Sequence, residues 1–339
     1  MATQQSSSSV CRGQRTLGAL RHLWRLSQLT QSPSSPPPLP QTTPERLAST
    51  SEKTILYLAY GSNLSAETFK GARGIKPISS VNVHVPSLDL TFDLAGIPYI
   101  EPCFANTRWR DQNAPPSDDD YHKDRWHKGL IGVVYEVTPE DYRIIIATEG
   151  GGASYQDVVV PCYAIPPGTS EVDPLPSGSP FKAHTLLQPT DDESNRIRTR
   201  AGRIHRPDPS YAQASARYLK LITDGAEEHS LPEEYLHYLH NIRPYTITTR
   251  RQHLGQAFIV GFWSPLILAL FGLGKLFADD EGKIPAWLAS IMGTVFTIMW
   301  MSYDKLLKPA FGDGERTMGD DDEEKCRTVK WCEKSVVLE

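Results

Sequence analysis

The chain has 339 residues, with 35 Lys and Arg against 40 Asp and Glu, a formal charge of −5 and 39% hydrophobic residues. That length supports one or two domains with a substantial core, and the acidic balance argues against a nucleic-acid protein, which needs clustered Lys and Arg for phosphate. Its five cysteines, Cys11, Cys103, Cys162, Cys326 and Cys332, form no CxxC pair and leave one odd thiol, against a disulfide framework or a zinc ribbon.

Residues 1–53 are rich in Ser, Pro, Gln and Thr, with the run SPSSPPPLPQTTP at 32–44. Such a segment buries too little apolar surface to offset its ordering entropy, so disorder is expected over 1–53. No acidic residue precedes Glu45, and Arg12, Arg15, Arg21 and Arg25 alternate with Leu17, Leu20, Trp24 and Leu26. That composition fits a mitochondrial targeting segment and fits a basic disordered tail equally well.

A folded domain is expected over 54–245. ILYLAYGSN at 55–63 reads as an apolar strand stopped by a Gly-Ser-Asn turn. Ser62 or Asn63 is placed to cap a short helix running through Phe69. Further strands are expected at 88–95, 103–109, 128–137, 157–165 and 182–187. Thr138 is placed to cap a helix at 139–149 with Pro139 in its first position, and two more helices are expected at 210–224 and 232–241. The stretch DQNAPPSDDDYHKD at 111–124 is a polar insertion. Its Asp118–Asp120 triplet could bind a cation, but a solvated loop is the simpler reading.

The C-terminal third changes character. No charged residue occurs from Gln252 to Gly274, nor from Ile284 to Tyr303. Each run has roughly the 20 residues that cross a bilayer core, which predicts transmembrane helices at about 256–277 and 284–303, reversed by KLFADDEGK at 275–283. Trp263, Trp287, Trp300 and Tyr303 are candidates for interfacial anchors. The competing reading is a helical hairpin buried in a soluble domain, although a soluble helix normally keeps a polar face. Arg250, Arg251, Lys305 and Lys308 flank the pair, which puts the folded domain on the cytosolic or matrix side of an endomembrane or mitochondrial membrane. Residues 305–339 read as a polar tail in which Cys326 or Cys332 could be acylated.

Two segments carry candidate chemistry. At YGSN, backbone N–H groups of Gly61, Ser62 and Asn63 could converge beside the positive end of the following helix and hold a carboxylate. One glycine is too few for a nucleotide fingerprint, and a plain structural turn explains the segment equally well. The second is Glu149 in IIIATEGGG. Burial at the end of that apolar run would raise a carboxyl pKa toward the range of a general base, while a glycine-capped helix end would make Glu149 incidental. Cys103 and Cys162 fall in expected strands and read as core. The ten histidines show no HExxH or paired ligand spacing, which argues against a metal site.

Taken together, YLAYGSNL at 57–64, the Thr-Glu-Gly-Gly segment, RYLKLI at 217–222 and LPEEYLHYL at 231–239 resemble the gamma-glutamylcyclotransferase family, in family order over about 54–245. The resemblance implies an α+β fold, a small mixed β-barrel with peripheral helices, here followed by the two-helix transmembrane hairpin. It implies a lyase-type intramolecular cyclisation of gamma-glutamyl amino acids that releases 5-oxoproline, within glutathione metabolism, with neither metal nor nucleotide. It puts substrate binding at Tyr57, Leu58, Ala59, Tyr60, Gly61, Ser62 and Tyr218, and the proton acceptor at Glu149. Tyr155 fits a tyrosine that follows the glutamate. The 111–124 insertion, the Pro-rich stretch at 166–180 and the hairpin depart from the compact family pattern. The branch acting on glutathione has differently worded motifs, so glutathione is the less expected substrate. Two other readings stay open: cyclisation of a gamma-glutamyl amine such as a lysine isopeptide, and a catalytically silent membrane-tethered binding module.

Overall fold

The computed structural model describes residues 39–49, 53–111, 123, 125–149, 156–188, 212–279 and 284–316. From Pro40 onward the chain forms one unit. Its centre is a closed five-stranded barrel in the order β1 (Ile55–Ala59), β5 (Leu130–Val137), β2 (Ser79–Val85), β6 (Gln156–Ala164) and β7 (Phe181–Leu187). Neighbours are antiparallel, with Tyr57 opposite Tyr135 and Val81 opposite Val134. The exception is the closing pair, where β7 runs parallel to β1 at Tyr57 and His184. Closure removes the free edges of the sheet, and its buried β-branched residues explain why β1 and β5 read as continuous apolar runs.

β3 (Leu88–Ile97) and β4 (Glu101–Trp109) form a separate two-stranded ribbon, with a register shift between Thr91 and Leu94. All the strands expected from sequence occur, within a few residues of the expected ends. β2 was not expected: Ser79, Ser80, Asn82 and His84 make SSVNVHV look like a loop. The barrel gives those polar residues partners, as in Ser79 Oγ to Glu136 Oε2 at 2.8 Å and Asn82 Nδ2 to the His229 carbonyl at 2.8 Å.

The expected disorder over 1–53 fails at its end. A short helix, α1 (Pro44–Ala48), is capped by Thr43, and Arg46 Nε reaches Glu136 at 2.7 Å. Thr54 and Ser79 bind the same carboxylate, and the hydrogen bonds from Thr54, Arg46 and Ser79 hold it below the usual range despite partial burial. The rest of that segment, including the arginine-bearing stretch and Cys11, lies outside the described residues, as do residues 112–122.

α2 (Pro139–Thr148) starts where expected, with the Asp141 N–H bonded to Thr138 Oγ1 at 3.1 Å. α3 (Ala216–Glu228) starts later than expected because Ser215 supplies its cap. α4 (Glu233–His240) follows it. α3 lies against the YGSN turn so closely that a Cβ at Gly225 would fall 2.3 Å from the Leu64 carbonyl carbon.

At the C-terminus, α5 (Arg250–Phe258), a π-helical turn and α6 (Ser264–Phe277) run on continuously, and α7 (Ala286–Ser302) continues through a second π-turn into α8 (Lys308–Phe311). Thr249 and Gln252 form a reciprocal capping box at the start of α5. Arg250–Gly274 and Ala286–Phe311 are long and apolar enough to cross a membrane by length and composition, with 28% and 39% of their most apolar stretches buried. They pack on the tip of the ribbon: Tyr99, Ala95, Ile259, Trp263, Phe296, Trp300 and Tyr303 share one cluster. Trp300 Nε1 donates to the Gly96 carbonyl at 3.1 Å. Tyr99 takes a left-handed backbone (φ 63°) and donates its hydroxyl to the Gly312 carbonyl at 2.6 Å. The expected polar tail from 305 is corrected accordingly. Leu307 is buried, and Gly314 and Glu315 accept backbone hydrogen bonds from Tyr99 and Gln213, so 305–316 belong to the folded unit. The remainder of the tail, with Cys326 and Cys332, lies outside the described residues.

Candidate active site

At the end of β1 the chain turns at Gly61 into a 3-10 turn, Ser62–Leu64, followed by a π-helical turn, Glu67–Ala72. The single helix expected through Phe69 does not form, so the helix-dipole part of the anion-binding expectation falls away. Close contact with α3 shapes this segment instead. A small pocket opens beside it, lined by Tyr57, Tyr60, Gly61, Ser62, Asn63, Ala105, Glu149, Leu186 and Tyr218.

Five of the seven residues expected to bind substrate therefore meet Glu149 at one pocket. Leu58 and Ala59 do not line it. They sit in β1 with their positions paired to β5, and the Leu58 carbonyl accepts the Thr185 hydroxyl. Gly61 is needed for space: a Cβ there would lie 3.2 Å from the Tyr218 hydroxyl and 3.3 Å from Ala105. Gly150, Gly151, Gly152 and Tyr155 lie outside the described residues.

Glu149 stands at the C-terminal end of α2, with its N–H bonded to the Ile145 carbonyl. Its surroundings are not the apolar burial expected from IIIA. Arg73, from the end of the π-turn, places one guanidinium nitrogen 2.5 Å from Oε1 and a second on Thr148 Oγ1. Asn63 Nδ2 donates to the same Oε1 at 2.9 Å and to Tyr57 Oη at 2.8 Å. Both partners bind one carboxylate oxygen, which fixes the side chain.

The tyrosines are held from several directions. Tyr60 donates to the Leu186 carbonyl at 2.7 Å, so its hydrogen is committed and its oxygen remains an acceptor. Tyr218 Oη accepts the Ala105 N–H at 3.2 Å. Its ring stands edge-on to Phe104 at 5.1 Å. Burial pushes the Tyr57, Tyr60 and Tyr218 hydroxyls up, which keeps all three protonated. At the ribbon tip, buried Glu101 binds the Ser215 N–H and Arg217 at the start of α3, tying Tyr218 to β4.

Sequence reasoning missed the side chain of Asn63, Arg73, Ala105 and Leu186. Asn63 stood inside the YGSN motif, but its side chain was considered only as a helix cap and its backbone only as an anion donor. Arg73 lies in an unremarkable polar stretch, and nothing in Ala105 or Leu186 distinguishes them from other strand residues. Cys103 and Cys162 are buried in the core, and burial pushes the Cys162 thiol up, away from nucleophile chemistry.

A family model described as the AclK C-terminal domain matches residues 249–309, the helical pair. A solved structure described as gamma-glutamyl cyclotransferase is distantly similar, 19% identical with a TM-score of 0.39, over 58% of this chain and 93% of its own. Gamma-glutamyl cyclotransferase aclK of Aspergillus oryzae is 29% identical over 283 residues, 82% of this chain and 94% of the relative. Gamma-glutamyl cyclotransferase gliK of Aspergillus fumigatus is 32% identical over 264 residues, 77% of this chain and 89% of the relative. With identity at that level along most of both chains, the protein belongs to the gamma-glutamyl cyclotransferase family.

Proposed function

We propose that the protein cyclises the gamma-glutamyl group of gamma-glutamyl amino acids and dipeptides, releasing 5-oxoproline and a free amino acid, with Glu149 as base and then acid. The observation that carries this reading is one fixed carboxylate facing a small pocket otherwise lined by neutral hydroxyls, an amide and backbone. The substrate brings its own nucleophile. Its α-ammonium gives a proton to Glu149, and the freed amine attacks the γ-carbonyl carbon. Closing a five-membered ring makes this attack intramolecular, with the proximity advantage already present. The tetrahedral intermediate collapses as the bond from carbon to the leaving nitrogen breaks. Protons released by the attacking nitrogen pass through Glu149 to the leaving amine. Tyr218 accepts from Ala105 and has its own hydrogen to offer the developing oxyanion.

The same reading places the protein in a membrane through its C-terminal helices. Phe262, Leu268, Leu276, Trp287 and Leu306 all point outward, each more than half exposed. A lipid environment removes that apolar surface from water. The flanking Arg250, Arg251, Lys305 and Lys308 favour the cytosolic or matrix side for the catalytic domain.

The test uses the full chain in detergent micelles with gamma-glutamyl dipeptides, glutathione and gamma-glutamyl-lysine, following 5-oxoproline by mass spectrometry. Glu149→Gln is expected to lower turnover at least about 100-fold, the range of general acid–base catalysis, with thermal unfolding unchanged. Undiminished release by that variant removes Glu149 as the base. Release from gamma-glutamyl-lysine alone moves the substrate to isopeptides, and no release from any compound favours a binding module.

A further inference from the structure

Asn63 is one-twentieth exposed and lines the pocket. Its orientation follows from chemistry. An ionised carboxylate only accepts hydrogen bonds, so the atom 2.9 Å from Glu149 Oε1 is the amide nitrogen. The second N–H of that nitrogen goes to Tyr57 Oη. The amide oxygen, Oδ1, is left for another donor, and it is buried with no hydrogen-bond partner among the described residues. A buried orphan acceptor is costly, and in a native structure such a group calls for a partner. Close by, Tyr60 has given its hydroxyl hydrogen to the Leu186 carbonyl and lines the same cavity as an acceptor. The Glu149 carboxylate is a third acceptor there. An ammonium has three N–H donors and no acceptor, which makes it the group that this set complements.

We infer that Asn63 Oδ1, with Glu149 and Tyr60, forms a cradle for the substrate's α-ammonium, and that Asn63 keeps hold of the amine after Glu149 has taken its proton. One N–H stays on Oδ1 while the new lone pair is aimed at the γ-carbonyl carbon. This assignment rests on the cyclotransferase reading for its substrate, but it is tested by binding rather than by turnover.

Two ligands that cannot cyclise separate the possibilities. One is the analogue of a gamma-glutamyl dipeptide whose γ-carbonyl is replaced by methylene. The other is its counterpart lacking the α-amine. Affinities for both are measured by calorimetry on the full chain in detergent micelles. The wild type is expected to favour the amine-bearing ligand by tenfold or more. In Asn63→Ala that preference is expected to fall roughly tenfold, the size of a hydrogen bond to a charged group, while affinity for the amine-free ligand stays within twofold. Asn63→Ser is the second variant, should Ala unfold the loop. Both changes are repeated in Glu149→Gln, where a further fall in preference shows a contact from Asn63 itself rather than a displaced carboxylate. A preference indifferent to Asn63 in both backgrounds overturns the cradle, even if the wild type makes 5-oxoproline. Preference that depends on Asn63 without any turnover keeps the cradle and removes the cyclotransferase reading, and binding of neither ligand overturns both.

Discussion

Arg73 brings the opposite charge to Glu149 from a different part of the chain, and its side chain is itself mostly shielded. It ties Thr148 and Glu149 at the end of α2 to the turn after YGSN, so its first effect is on where the carboxylate sits. Misplacing a reacting group by about 1 Å can cost 100-fold. Arg73→Met is therefore expected to lower kcat between about 10- and 100-fold with KM little changed, and added guanidinium is expected to recover part of the loss. Steady-state kinetics with and without guanidinium check this. A drop in KM affinity alone, with kcat intact, would instead put Arg73 on the substrate. Glu149 was visible in the sequence as an acid at an odd place, but Arg73 was not, because an ion pair between positions 76 residues apart leaves no local pattern.

α3 shows how an element sets the site. Its start is fixed by Ser215 and Glu101, its face by Tyr218, and its end by His229, whose Nε2 lies 2.7 Å from Tyr135 Oη beneath the YGSN turn. Burial and the nearby Lys70 push His229 down to about 4, so it is neutral in the folded protein near neutrality. The unfolded chain binds that proton at about 6.5, so it holds more protons than the folded one between the two values, and stability is lost as the pH is lowered across that window. The loss from this group approaches about 3 kcal/mol by pH 4. Denaturant unfolding of the full chain at pH 7 and pH 4.5 measures it, and His229→Gln is expected to flatten the difference. An equal slope in both proteins would show that other groups carry the acid sensitivity. The helix itself was legible from RYLKLI. Its start was expected at 210 but lies at Ala216, where Ser215 caps it and Glu101 holds the Ser215 N–H.

For the whole molecule, the ribbon joins the pocket to the C-terminal helices. β4 carries Ala105 against Tyr218 at one level and, near its start, packs Ile100 and the Tyr99 turn against Trp300, Tyr303 and Gly255. The helices therefore support the ribbon. A chain ended after Thr248 uncovers Tyr99, Ala95, Ile97 and Ile100, about 5 kcal/mol of apolar burial at the usual 1.5–3 kcal/mol per large side chain. It is expected to unfold at a lower temperature than the full chain in detergent, with faster amide exchange along the ribbon. Equal melting temperatures would show that the hairpin only anchors.

Local chemistry lay open in the sequence. Caps at Thr138, the apolar runs of β1 and β5, the two uncharged helical stretches and the paired motifs around Gly61 and Glu149 are all nearest-neighbour or short-period features, and such patterns survive without a fold. β2 was missed because its polar residues are satisfied only by other strands, and α1 because Arg46 finds Glu136 only across the barrel. The same holds for the site. That a carboxylate and a Gly-Ser-Asn turn belong together follows from their motifs, whereas the direction in which Asn63 turns its oxygen follows from Glu149, Arg73 and Tyr57 meeting there. Orientation is a property of that meeting, set by hydrogen bonds between distant positions, and only the tertiary structure decides it.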